Sequence, residues 1–63
     1  MTQKELSYVE DAIGHEKNII SICEETLKIL EDERLVLFIE EELNTHKKMK
    51  ERLTNMLEAK ANE

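Results

Sequence analysis

The sequence predicts an all-α protein in which the chain forms an antiparallel two-helix hairpin and two hairpins dimerise into a four-helix bundle. Its 63 residues include no proline, one glycine and a large share of the helix-forming residues Glu, Lys, Leu and Ile. Apolar residues recur at alternating spacings of three and four, which is the period of a helix with one buried side. A single domain of this length has a small core, so association with a second copy is expected.

The first helix is predicted over about residues 3–30. Thr2 and Glu5 have the spacing of a capping box, which marks a helix start. Two successive heptad positions are filled by Leu6, Ile13, Ile20 and Leu27 and by Val9, Glu16, Cys23 and Leu30. A second line at the same spacing contains Tyr8, Ala12, His15, Ile19, Ile22, Thr26 and Ile29. The apolar arc is about 160° wide, which predicts that this helix contacts at least two neighbours.

The second helix is predicted over about residues 33–59. Its stripe contains Leu35, Ile39, Glu42, His46, Met49, Leu53 and Met56, flanked by Val36, Phe38, Leu43 and Leu57. The step from Leu30 to Leu35 is about 140° out of phase with the first stripe, which predicts a reversal near 31–33 with Asp32 as N-cap. Residue i should then face roughly residue 65−i of the other helix. A single long helix is the competing prediction.

Three ionisable residues, Glu16, Glu42 and His46, interrupt the apolar stripes. Burying a charged group without a partner costs several kcal/mol, so two interpretations are open. His46 forms buried hydrogen-bonded pairs with the glutamates, and these pairs fix the register of the bundle. Alternatively, the three residues bind Fe, Mn or Zn, as in bundles whose helices donate Glu and His inward. Those bundles use Glu-x-x-His, whereas Leu43 lies three residues before His46.

Charge and composition argue against several classes of partner and location. The net charge of −6 disfavours nucleic acid, although the run 46–52 is basic. The N-terminus has no apolar core of a signal peptide, and no apolar run reaches membrane-spanning length. The lone Cys23 allows no intrachain disulfide and fits a reducing compartment. These features predict a cytoplasmic protein that does not bind membranes.

Two stretches, 10–17 and 30–57, resemble the helical pair of the ferritin-like superfamily and are most similar to its small spore coat protein F-like members. In that family an early Glu-Lys, here Glu16-Lys17, and a later His, here His46, stand on inward faces of consecutive helices. The resemblance implies a four-helix bundle, here made from two chains. It also implies that Glu16, Glu42 and His46 occupy ligand-like positions and that the protein is associated with spores.

The function predicted from these patterns is a small homo-oligomeric bundle that serves as a structural, assembly or protein-interaction module. Its partner is a second copy or another protein, and the sequence contains no catalytic constellation. The alternative is a ferritin-like metal-binding bundle that uses Glu16, Glu42 and His46. A third hypothesis, an RNA-binding hairpin dimer of the Rop type, is least favoured, because the polar side of the first helix is acidic overall and lacks the basic and aromatic residues that an RNA-binding surface needs.

Overall fold

The computed structural model describes residues 1–61, which form two helices that fold back on each other. Helix α1 spans Gln3–Leu27 and helix α2 spans Glu33–Ala61. The hairpin measures 47 × 14 × 12 Å, so its length is close to that of α2 alone. The predicted all-α hairpin is therefore confirmed for this part of the chain, and the single long helix is wrong. Neither helix contains an apolar stretch long enough to span a lipid bilayer.

Helix α1 begins with the predicted capping box. The backbone N–H of Glu5 donates to Oγ1 of Thr2 over 3.1 Å, and the backbone N–H of Thr2 donates to Oε1 of Glu5 over 2.7 Å. The hydrogen bond from the Thr2 backbone, followed by that with the Thr2 side chain, holds the pKa of Glu5 below its ordinary value. Two N–H groups at the start of the helix thus have acceptors.

The connection between the helices differs slightly from the prediction. Helix α1 ends at Leu27 rather than residue 30, and its last turn tightens through a hydrogen bond from the N–H of Ile29 to the carbonyl of Thr26. Asp32 is the N-cap of α2 as predicted, since its Oδ1 accepts from the N–H groups of Arg34 and Leu35. Helix α2 continues to Ala61, two residues beyond its predicted end, because Lys60 and Ala61 are good helix formers.

The two helices face each other through a packing stripe on each. On α1 this stripe follows the predicted heptad positions and includes the buried Ile13, Glu16 and Cys23. On α2 the prediction was right for Ile39, His46 and Leu53 and wrong by one residue at the other positions. Leu35, Met49 and Met56 are exposed, and the stripe consists of the less exposed Val36, Ile39, Leu43, His46, Lys50, Leu53 and Leu57. The line of residues that starts at Leu35 and the line that starts at Val36 are both mainly apolar at helical spacing. Only the pairing with α1 decides which of the two lines packs inward.

The axial alignment of the helices also differs from the prediction. Glu16 contacts His46, so residue 16 lies level with residue 46 rather than with residue 49. The reason is the position of the turn, because α1 ends at Leu27 and the connection 28–32 is centred earlier than expected. A shift of three residues along a helix is about 4.5 Å. That distance is enough to bring His46 directly onto Glu16.

The hairpin has a thin core. Among the described residues only Ile13, Glu16 and Cys23 are buried, and no large side chain is fully enclosed. The radius of gyration of 14.5 Å exceeds the roughly 10.6 Å expected for a compact domain of this length. Two helices lying side by side therefore leave much of their apolar surface uncovered.

Candidate functional site

The structure brings together the three residues that the sequence singled out. Glu16 comes from the middle of α1, and Glu42 and His46 lie one turn apart on α2. Nδ1 of His46 lies 2.5 Å from Oε2 of Glu16, and Nε2 of His46 lies 3.5 Å from Oε2 of Glu42. The imidazole ring therefore lies between two carboxyl groups, one from each helix.

The cluster runs from the interior to the surface. Glu16 is buried, His46 is half-buried, and the side chain of Glu42 is 44% exposed. An ionised carboxylate only accepts hydrogen bonds, so Nδ1–H of His46 donates to Glu16. Nε2 of His46 faces the second carboxylate, that of Glu42, toward the solvent-exposed side of the cluster. Among residues 1–61 no buried side-chain nitrogen or oxygen lacks a hydrogen-bond partner.

The same geometry bears on the metal interpretation. Nδ1 of His46 is engaged by the buried Glu16, and Nε2 faces the partly exposed Glu42 at 3.5 Å. In the part of the chain that the structure describes, no group of three or more His, Cys, Asp or Glu side chains is placed to hold a metal ion. The geometry favours the buried polar layer, and binding of Fe, Mn or Zn stays a prediction.

The two lateral sides of the hairpin differ sharply in character. In each helix the residue immediately before a packing residue is rotated about 100° to one side, and the residue immediately after it is rotated to the other. Because the helices are antiparallel, the preceding residues of both lie on the same side of the hairpin. The large apolar residues in this preceding set form a surface that we call the open apolar face: Tyr8, Ile19, Ile22, Ile29, Leu35, Phe38, Met49 and Met56.

The open apolar face is accessible to solvent along the whole hairpin. Of the nine large hydrophobic residues exposed in the described chain, all except Met1 and Leu37 belong to it, with exposures between 41% and 79%. A depression of about 240 Å³ lies beside Met49, Arg52 and Leu53. The sequence predicted a second neighbour for α1 but placed Leu35, Met49 and Met56 in the stripe that packs on α1 rather than on this side. The signal was present, because the apolar lines of both helices precede their packing stripes by one residue.

The opposite side of the hairpin is polar. Apart from Leu37, the residues that follow the packing positions are polar or glycine: Ser7, Glu10, Gly14, Lys17, Ser21, Glu24, Lys28, Glu40, Asn44, Lys47, Glu51, Thr54 and Glu58. A groove of about 510 Å³ on this side is lined by Lys47 and Lys50 together with Glu24 and Glu51. Positive and negative charges alternate there, so the lysines form no continuous basic surface of the kind that binds a phosphate backbone.

Comparisons of the chain with protein-family models, with curated proteins and with solved structures find no significant match. The resemblance to the ferritin-like superfamily therefore stays a prediction. The carboxylate–imidazole cluster and the open apolar face are the two features of the structure that bear on function.

Proposed function

We propose that this chain is a structural or protein-interaction module that acts as a homodimer, with two hairpins joined into a four-helix bundle through their open apolar faces. One observation carries the proposal: large apolar side chains from both helices lie together on one side of the hairpin and are exposed. Contiguous apolar surface of this kind marks an interaction site in water-exposed proteins. Tyr8, Phe38 and the two methionines are of types enriched in interfaces.

The exposed area is consistent with one missing neighbour. The hairpin exposes 5140 Å², whereas a compact monomer of 7.4 kDa is expected to expose about 4,200 Å². The excess of about 900 Å² is close to the roughly 800 Å² that each partner buries in a standard-size interface. A second copy stacked on the open apolar face would cover this area and give α1 the second neighbour that its wide apolar arc requires.

The mass of the purified protein tests the proposal. Sedimentation equilibrium is expected to give twice the chain mass of 7.4 kDa, with a thermal midpoint that rises with protein concentration. A folded monomer at all concentrations would rule out the homodimer. If the chain instead forms a complex with a different protein, the homodimer is wrong and the protein-interaction module acts on that other protein.

Two neighbouring residues provide a matched pair of variants. Phe38 and Leu37 are 56% and 60% exposed, but Phe38 belongs to the open apolar face and Leu37 lies on the polar side. The F38E variant is expected to lower the dimer fraction strongly, because it places a charge in the interface. The L37E variant is expected to keep the wild-type mass. If F38E monomers unfold, the milder F38A variant replaces them, and its dimer dissociation constant is measured by dilution. Equal dimer stability in F38A and wild type would contradict the proposal.

A further inference from the structure

We infer that the two hairpins stack with their turns at opposite ends, so that Glu42 of each chain pairs with Arg52 of the partner subunit and His15 meets its own copy on the twofold axis. This inference rests on the proposed homodimer and specifies its interface. Glu42 and Arg52 are the two charged side chains that interrupt the exposed apolar line of α2, at Leu35, Phe38, Glu42, Thr45, Met49, Arg52 and Met56.

The helix lengths fix the centre of a fully overlapping dimer. The middle residue of α1, Gln3–Leu27, is His15, and the middle residue of α2, Glu33–Ala61, is Lys47. Because Glu16 contacts His46, these two middle residues lie at the same level of the hairpin. The exposed apolar residues run from Ile29 and Leu35 at the turn to Tyr8 and Met56 at the other end. Full overlap covers all of them.

A twofold axis at this level, perpendicular to the helices and lying in the interface, places α2 of one chain on α2 of the partner. A residue that lies a given number of positions before the middle residue then faces the partner's residue that lies the same number of positions after it. Glu42, five residues before Lys47, lies opposite Arg52, five residues after it. Phe38 lies opposite Met56 by the same rule, and on α1 Tyr8 lies opposite Ile22. At these two pairs apolar residues meet apolar residues, Met49 lies opposite Thr45, and the acid meets the base twice in each dimer.

The alternative arrangements separate Glu42 from Arg52 of the partner subunit. If both turns lay at the same end, α2 would rest on the partner's α1 at the same level, and Glu42 would lie between Ile19 and Ile22 of the partner subunit. Burying a carboxylate against isoleucine costs several kcal/mol. Sliding the opposed hairpins by one heptad also separates Glu42 from Arg52. Charge complementarity therefore selects the fully overlapping arrangement with opposed turns.

Charge exchange tests the pairing. The E42R and R52E variants each place like charges together, and each is expected to raise the dimer dissociation constant about tenfold or more. An equimolar mixture of the two variants is expected to form heterodimers of near wild-type stability, because each Arg then faces a Glu. The double variant E42R/R52E is expected to recover in the same way. The double variant lacks the contact between Glu42 and His46 in both chains, and the heterodimer lacks it in one chain, so this contact cannot explain a recovery. Absence of both rescues would overturn the pairing.

Disulfide formation tests the axis independently. In a C23A background, the H15C variant is expected to form a disulfide-linked dimer when the two thiols are oxidised by copper phenanthroline. The S21C variant in the same background is the control, because Ser21 is exposed on the polar side. In the arrangement with turns at the same end, the two copies of residue 15 lie diagonally across the bundle and do not link.

The failure of this inference differs from the failure of the proposed function. A protein that sediments as a dimer but shows neither charge rescue nor a link through H15C retains the proposed function and loses this arrangement. A protein that sediments as a folded monomer loses both. Linking of S21C as efficiently as H15C would place the interface on the polar side and would also contradict both.

Discussion

Nδ1 of His46 lies 2.5 Å from Oε2 of Glu16, and this contact is the polar link between the two helices in the middle of the hairpin. Residues on both sides of Glu16 along the stripe, Ile13 and Cys23, are buried. A directional hydrogen bond among apolar neighbours penalises any sliding of one helix past the other, since a shift would leave a buried carboxylate unpaired. The cluster therefore acts on register more than on net stability.

Removing the acid of this pair should destabilise the fold. We expect E16A to lower the free energy of unfolding by about 2 kcal/mol, because His46 loses its buried acceptor. H46A should have a similar effect, and the double variant should cost less than the sum of the two, with a coupling energy on the order of 1 kcal/mol. Urea denaturation gives these values. E41A, at an exposed position of α2, is the control and should stay within about 0.5 kcal/mol.

Metal addition separates the two interpretations of the cluster. We expect no rise in the thermal midpoint when chelator-treated protein receives Zn²⁺, Mn²⁺ or Fe²⁺, because in the described chain no group of three or more His, Cys, Asp or Glu side chains is placed to hold a metal ion. A metal present at a hundred times its dissociation constant would stabilise the fold by about 2.7 kcal/mol. A rise of that size in the wild type, lost in E16A along with bound metal in elemental analysis, would establish the metal site.

The capping box makes part of the stability dependent on pH. The pKa of Glu5 is lowered in the folded chain by its hydrogen bonds with the backbone and side chain of Thr2. A lowered folded pKa means that the carboxylate stabilises the fold above its ordinary pKa of 4.5 and loses this effect as the pH falls through the folded value. E5Q should therefore be less stable than wild type at pH 7, and the difference should vanish near pH 2 in denaturant titrations.

Gly14 offers a test of the polar side. A Cβ built at this position meets no atom within 4 Å, and its backbone is helical with no positive φ. We expect G14A to raise the free energy of unfolding by about 1 kcal/mol through helix propensity. The dimer dissociation constant should not change, because Gly14 follows Ile13 and lies away from the open apolar face. A weakened dimer in G14A would show that a partner approaches this side instead.

The cluster could be predicted because charged residues inside an apolar stripe are conspicuous in the sequence. Glu16 and His46 stand in stripes of mainly apolar residues near the middle of their helices, so an antiparallel hairpin that turns near residues 31–33 places them within about one turn of each other. Which nitrogen faces which carboxylate could not be predicted. That detail depends on an axial shift of about 4.5 Å, set by where the last turn of α1 tightens.

The sequence by itself determined the two helices and their caps at Thr2 and Asp32, because propensity, hydrogen-bonding side chains and apolar period act locally. The tertiary structure alone decided which of two apolar lines of α2 packs on α1 and which faces outward. The physical reason is that the two lines are about 100° apart and similarly apolar, so no local interaction distinguishes them. Only the position of α1 makes that choice, and with it one side of the hairpin becomes apolar.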